Sequence, residues 1–453
     1  LLTNFVMFII KRINISQPIV IFFSALALTI LPLVVNAELD IEIPSSFNPV
    51  GSGARAIGMG GAFIAVSDDA TASSWNPGGL RNIRKSEYSI VLSSRFRKEQ
   101  ISFGKYPEAD GNHYISDLDI NYMGLTFPFQ LNRLKMVFSI NYQRLYEFSR
   151  DWTFTIKQSI ESDVYNNKWD YKQRGQLAAT GYSYCLVFLP NLSIGFTLNQ
   201  WGNRISKGKW VQEYFKKTTG IQDNLPLNKD SHRKITYFFK GVNVNLGLLW
   251  DINNKWTIGF VFKTPFKAKV KANLEQYSVM QSPMSKISHS NKLTTNYLYM
   301  PLSVGAGILY RLRSNCFFTC DVYQTNWNEF KYKNENGIEL SPVSEQLLNE
   351  SNIKPTHQFR FGFEYVFIDQ HNKDSVTLRS GFFYDPAPSE NGVDDYYGIS
   401  VGLGLTKMPW FSIDLAYQYR FGNNVGETML RHLNFSQDVH EHMIYSSIIY
   451  YLD

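Results

Sequence analysis

From Gln358 to Phe367 the chain alternates without a break. Phe359, Phe361, Phe363, Tyr365 and Phe367 fall on one side, and Gln358, Arg360, Gly362 and Glu364 on the other. Phe411 to Gly422 repeats the pattern, with Phe411, Ile413, Leu415, Tyr417, Tyr419 and Phe421 opposite Ser412, Asp414, Ala416, Gln418, Arg420 and Gly422. A helix would show a period near 3.6; a period of two is that of a strand with two different faces. The spacing predicts fourteen strands, near 86–95, 117–128, 134–146, 175–188, 191–202, 234–250, 255–264, 298–312, 315–325, 357–368, 375–385, 396–407, 410–421 and 441–452. The links between them alternate in length. Short ones hold Gln130-Leu131-Asn132, Pro190, Ile252-Asn253-Asn254, Ser314, Gln370-His371-Asn372 and Met408-Pro409. Long polar ones lie around 96–116, 147–174, 203–233, 265–297, 326–356, 386–395 and 422–440.

A soluble sandwich also alternates, but it gives no reason for short turns at one end and long loops at the other. An even number of strands with that asymmetry is the pattern of a transmembrane β-barrel. One face of each strand is aromatic or aliphatic and the other carries small and charged groups, as a wall between lipid and a wet lumen requires. The fold class predicted is therefore all-β: a transmembrane antiparallel barrel of about 14 strands. Closing the sheet removes the edges that would otherwise pair between molecules.

Composition agrees. Of 453 residues 15% are aromatic, with 27 Tyr and 33 Phe, and aromatics favour strands and membrane interfaces. The net charge of +6 comes from basic residues scattered among acids. Nucleic-acid binding would need clustering on one face. Lys11 and Arg12 precede an apolar run from Ile19 to Val35 that ends at Ala37, which predicts a signal peptide over 1–37 and export. A retained membrane anchor is the competing reading. Cys316 and Cys320 lie on one predicted strand, about 13 Å apart, too far for a disulfide. With Cys185 they read as lone small apolar residues.

One segment departs from the pattern. Gly51 to Leu80 reads GSGARAIGMGGAFIAVSDDATASSWNPGGL. It precedes the first strand, and a fourteen-stranded barrel has a lumen that stays open unless plugged. Small residues such as Gly58, Gly60, Gly61, Ala62 and Ala65 let backbone pack against the wall, and Asn76-Pro77-Gly78 signals a turn. Residues 38–84 are expected to form an N-terminal hatch and 85–453 the barrel. The carboxylates of Asp68 and Asp69 are expected near lumen arginines, with Arg360, Arg379 and Arg420 as candidates.

This segment resembles the N-terminal motif of the FadL/TodX family of outer-membrane transporters. Gly53 to Phe63, Asp68 to Ala70 and Trp75 to Leu80 match, with Gly78 in place of the family's Ala. The resemblance implies passive uptake of long-chain fatty acids or other hydrophobic compounds. It also implies an apolar pocket, a lateral exit through the wall, and gating by the hatch through Gly58, Gly60, Gly61, Phe63, Asp68, Asp69, Trp75, Asn76 and Pro77. Barrels of the PorV type, which serve a protein-secretion system, resemble the same superfamily and give the alternative function. Expected partners are hydrophobic small molecules or fatty acids, outer-membrane lipid and lipopolysaccharide, and the barrel-assembly machinery. No cofactor, metal or catalytic residue is expected.

Other motifs have plainer explanations. Gly58 to Phe63 lacks the last glycine of a dinucleotide loop and has no preceding strand. Gly398-Ile399-Ser400-Val401-Gly402 fits the hydrolase elbow in letters, but Ser400 falls within an alternating strand, facing the lumen, where no strand-to-helix turn presents it. His440-Glu441-His442, with His432 nearby, reads as a solvated loop end without a third placed ligand. The basic stretch Arg204 to Lys234 reads either as an ordinary external loop or as a surface attracted to anionic lipid or carboxylate.

Overall fold

The computed structural model describes residues 48–453, apart from Pro283, Gln370, Asn372, Lys373, Asn391 and Asp453. The expected signal peptide, the first part of the expected hatch and part of the predicted turn at 370–372 lie outside the described residues. Fourteen antiparallel strands close the wall: β1 Glu87–Phe103, β2 Gly111–Leu131, β3 Leu134–Glu147, β4 Asp163–Leu189, β5 Leu192–Trp201, β6 Leu225–Asp251, β7 Trp256–Lys263, β8 Ser303–Arg313, β9 Cys316–Thr325, β10 Thr356–Ile368, β11 Ser375–Tyr384, β12 Tyr397–Lys407, β13 Phe411–Val425 and β14 Phe435–Tyr451. Each pairs with the next, and β14 closes on β1 over seventeen residue pairs, from Glu87 opposite Tyr451 to Phe103 opposite Phe435.

The faces are sorted as the alternation requires. On β12, Ile399, Val401, Leu403 and Leu405 are 46–56% exposed on the outside, whereas Ser400 is 3% exposed on the inside. In water such a belt would drive aggregation; against acyl chains it is the favourable surface. Rings gather at its two borders. Trp256 packs on Tyr310 at 4.5 Å near the short turns, and Tyr384 on Tyr397 at 5.2 Å near the long loops.

Three of the long links hold long strands of their own. Arg150–Ile160, Gly208–Gln222, Phe266–Ser282 and Lys286–Met300 are strands that extend the sheet outward from the wall. β4 and β6 are each 27 residues long, about 89 Å at the usual rise, against a hydrocarbon core of about 30 Å. Their inner halves belong to the barrel. The outer half of β4 pairs with Arg150–Ile160 and Gly208–Gln222, and that of β6 with Gly208–Gln222 and Phe266–Ser282. The predicted strand 298–312 is two pieces. Residues up to Met300 belong to the outer hairpin, and β8 starts at Ser303, because Pro301 lacks the amide the ladder needs.

His440-Glu441-His442 lies within β14, not in a loop. Glu441 points into the lumen, while His440 and His442 point outward and bond the hydroxyls of Tyr419 and Tyr417, each at 2.7 Å. The cysteines are unpaired: Cys185 and Cys316 buried, Cys320 exposed.

Candidate functional site: a hatch across the lumen

Residues 50–84 fill the middle of the barrel with two short helices, α1 Ala54–Gly58 and α2 Ala72–Trp75, and a 3-10 turn over Pro77–Asn82. Such short helices do not persist alone; the wall holds these. Asp321 on β9 is fully buried, and its Oδ2 accepts the amides of Phe63 at 2.7 Å and Ile64 at 2.8 Å. Ser400 on β12 accepts the Gly60 amide at 2.8 Å and donates to the Gly58 carbonyl at 3.1 Å. The serine that fits the hydrolase pattern is thus spent on holding the hatch.

The wall is thinned where the hatch touches it. Gly195 pairs with Gly247, Gly259 with Gly307, and Gly362 with Gly381 across neighbouring strands. A Cβ at Gly381 would lie 2.2 Å from the Met59 carbonyl carbon, one at Gly195 2.3 Å from the Pro77 oxygen, and one at Gly259 2.5 Å from the Ile64 oxygen. The hatch backbone seats directly on strand backbone, and no other residue fits there.

Asn76 is fully buried and binds in three directions. Its Nδ2 donates to the Ile64 carbonyl at 2.8 Å and the Leu248 carbonyl at 3.0 Å, and its Oδ1 accepts the Gly78 amide at 3.0 Å. Pro77 starts the 3-10 turn, where its missing amide costs nothing. Trp75 donates to the Ser52 carbonyl at 2.7 Å and packs edge-on against Phe63, with ring centres 6.3 Å apart. Gly60 and Gly61 have φ of 68° and 74°, which glycine adopts without strain.

The charges form two groups. At the short-turn end Arg55 grips Glu364 with Nε and Nη2, both at 3.0 Å, and also pairs with Asp68. Glu364 in turn accepts from Arg379 at 2.6 Å, and Arg379 donates to Asp414 at 2.6 Å. Asp68 therefore reaches Arg379 through Arg55 and Glu364, not directly. Asp69 accepts the Thr71 amide at 2.8 Å. Burial pushes its carboxyl up, opposed by the Arg55 charge and by the bonds from Thr71. At the long-loop end Arg420 lies over the Tyr396 ring at 3.7 Å and pairs with Glu441 at 3.4 Å. Arg360 donates to the Gly60 carbonyl at 3.0 Å and faces Asp385 at 3.6 Å.

The hatch separates two cavities. The lower, of about 330 Å³, is charged and lined by Arg55, Asp68, Glu364, Arg379 and Asp414. The upper, of about 210 Å³, is lined by Trp75, Trp201, Phe266, Trp327, Phe383 and Met443, with Tyr323 and Lys263, and by the charged Arg95, Arg144, Arg360, Arg420, Asp385 and Glu441. Lys263 Nζ stands 5.8 Å from the Tyr323 ring centre. It has no ion pair among the described residues, and the buried Tyr323 hydroxyl has no hydrogen-bond partner there.

The wall has one seam beside this cavity. Pairing between β2 and β3 stops at Tyr122 opposite Gln143, leaving Arg144 to Glu147 without β2 partners. Side chains bridge the space: Arg144 reaches Asp119 at 2.7 Å, and Arg95 pairs with Asp117 and Glu147. The start of the hatch lies against the same edge, Asn48 opposite Glu147 and Pro49 opposite Tyr146, with the Val50 amide on the Leu145 carbonyl at 2.9 Å. A bulge at the seam turns Asn121 inward, where it donates to the Gly51 carbonyl at 2.8 Å and accepts from the Gly53 amide at 3.1 Å.

Residues 48–439 match the model of the family described as outer membrane protein transport protein (OMPP1/FadL/TodX). The chain belongs to the FadL/TodX family. Its members are transporters of hydrophobic compounds, and the barrel spans the bacterial outer membrane. A FadL homologue from Pseudomonas aeruginosa has the same fold, with a TM-score of 0.59 at 13% identity over 91% of this chain and 100% of that one. The toluene transporter TodX of P. putida gives 0.54 at 12% over 88% and 98%, and the monoaromatic hydrocarbon channel CymD 0.53 at 12% over 90% and 99%. No curated protein matches in sequence.

Sequence reasoning missed Asp321, Asn121, Lys263 and the paired glycines. Each is unremarkable in its own strand. Their meaning comes from barrel closure, which brings strands distant in sequence around one segment.

Proposed function

We propose that this family member imports amphipathic acids, long-chain fatty acids above all, rather than neutral aromatic hydrocarbons. The observation that carries the reading is the Lys263 ammonium, without an ion pair among the described residues, beside the orphaned Tyr323 hydroxyl, in a cavity lined by rings and by more arginines (Arg95, Arg144, Arg360 and Arg420) than carboxylates (Asp385 and Glu441). A neutral hydrocarbon leaves the buried Tyr323 hydroxyl unsatisfied, at a cost of about 1–3 kcal/mol, and offers the Lys263 ammonium no counter-charge. A carboxylate satisfies both, and Arg360 adds a second cation. The acyl chain then lies along Trp75, Trp201, Phe266 and Trp327, where each buried methylene contributes about 0.8 kcal/mol.

Arg360 also connects binding to gating. The guanidinium that faces the cavity holds the Gly60 carbonyl of the hatch. A bound carboxylate competes for that guanidinium and weakens the hatch at the glycines with positive φ. The hatch residues from Gly58 to Pro77 are thus proposed to gate passage, with the seam between β2 and β3 as the lateral exit. An acyl chain leaving there avoids the charged lower cavity.

Equilibrium binding to the purified barrel tests this. A long-chain fatty acid is expected to bind at least about tenfold tighter than its methyl ester, the least a hydrogen bond to a charged group is worth. K263Q and Y323F should weaken the acid and leave the ester unchanged. Equal binding of acid and ester, or tightest binding of toluene, would overturn the proposal.

A further inference from the structure

The outer sheet carries a second feature, on the outside of the molecule and independent of what the lumen carries. On β6 the lipid-facing series Trp250, Leu246 and Val242 ends at Lys240, the next outward position. Phe266–Ser282, which pairs with this part of β6, presents Lys267, Lys269 and Lys271 on the same face, all exposed. Lys209, on the other side of β6, completes the group. Lys269 stands directly opposite Lys240, while Lys209 and Lys271 flank Phe238. Rings lie between the cations: Lys267 Nζ is 3.8 Å from the Tyr297 ring centre and Lys209 Nζ is 5.7 Å from that of Phe238.

None of these five lysines has an acidic partner among the described residues. Elsewhere on the same face, acids accompany the bases. Lys234 lies between Glu213 and Glu275, Lys217 opposite Asp230, and His232 bonds Glu213 at 2.8 Å. Lys331 and Lys333 share Glu339 at 3.0 and 3.3 Å. At the border of the lipid belt five lysines gather with no acid among them. Like charges directly opposite in a sheet are destabilising, so the arrangement calls for an anion between them.

The border of the belt is where the outer leaflet holds its phosphates. From this charge complementarity, and from the continuity of the patch with the lipid-facing wall, we infer that Lys209, Lys240, Lys267, Lys269 and Lys271 form a binding surface for the phosphates of an outer-leaflet glycolipid. Lipopolysaccharide is the occupant, its acyl chains against Val242 and Leu246 and its phosphates among the lysines. The site anchors the base of the outer sheet at the membrane surface.

The test is binding of bisphosphorylated lipid A, in detergent, to the full-length purified barrel. Dephosphorylated lipid A and inorganic phosphate serve as comparisons. Each lysine is worth roughly fivefold near an anionic surface, so K240Q/K269Q/K271Q should lose about a hundredfold in affinity. K240R/K269R/K271R should retain it, as should K135Q/K255Q/K407Q at the opposite end of the barrel. The unaltered protein should bind more weakly as salt rises, a readout that needs no variant to fold. Equal affinity for the dephosphorylated lipid, displacement by inorganic phosphate at matched concentration, salt-independent binding or full binding by the glutamine variant would each overturn the inference.

Discussion

Asp321→Ala isolates the hold of the wall on the hatch. The Asp321 carboxylate accepts two amides, Phe63 and Ile64, with one oxygen, in a fully buried position. Removing it leaves two buried N–H groups unsatisfied, at about 1–3 kcal/mol each. Taking about 3 kcal/mol for the pair, local opening of the hatch becomes about 150-fold more frequent. Hydrogen exchange reads this residue by residue. The amides of Phe63 and Ile64 should exchange about 150-fold faster than in the unaltered protein, while those of Ile413 and Leu415 on β13 stay unchanged. Asp321→Asn keeps an acceptor but loses the charge, so its effect should be smaller, about tenfold, the difference between charged and neutral hydrogen bonds. Unchanged exchange at Phe63 and Ile64 in the alanine variant would refute the claim that this carboxylate anchors the hatch. Equal acceleration in hatch and wall would instead mark Asp321 as a support of the barrel.

Further outcomes follow from the same contacts. Gly381→Val puts a Cβ 2.2 Å from hatch backbone; the barrel should still assemble, with the hatch displaced and cells newly permeable to hydrophilic antibiotics that the parent excludes. Arg55→Gln takes one of two arginines from the buried Glu364 and leaves Arg379, which costs about 1.5–3 kcal/mol, read as a lowered midpoint for loss of hatch protection with the wall unaffected. The backbone register sets Pro49 opposite Tyr146, and facing residues in antiparallel strands lie about 4.5–5.5 Å apart, within disulfide range. In a P49C/Y146C variant, oxidation should therefore stop uptake and reduction restore it. Uptake indifferent to the redox state would remove the seam from the exit path.

The wall was legible in the sequence because lipid on one side and polar lumen on the other impose strict alternation. Each of the fourteen strands overlaps its predicted region, but β1, β2, β4, β6 and β14 run well past it into what the sequence reads as long loop. The break at Pro301 was hidden because Leu298 to Met300 continue the alternation while changing partners. The outer hairpins carry a weaker version of the same signal, with Tyr165, Trp169 and Tyr171 alternating with Asn166, Lys168 and Asp170. It reads as polar loop because no lipid selects the outer face. The hatch was legible as a glycine-rich insert. Its seats were not, since Gly195 and Gly247 acquire meaning only when strand register sets them side by side. The acid-binding groups were least visible: Lys263 closes an ordinary strand, and Tyr323 and Arg360 stand far from it in the chain.

The most direct measurement is uptake by cells that lack their own fatty-acid importer, with surface assembly of the barrel verified. Cells carrying this protein should take up labelled long-chain fatty acid and not labelled toluene, and K263Q should abolish most of the gain. Toluene uptake that exceeds fatty-acid uptake, or no uptake of either by an assembled barrel, would contradict the account.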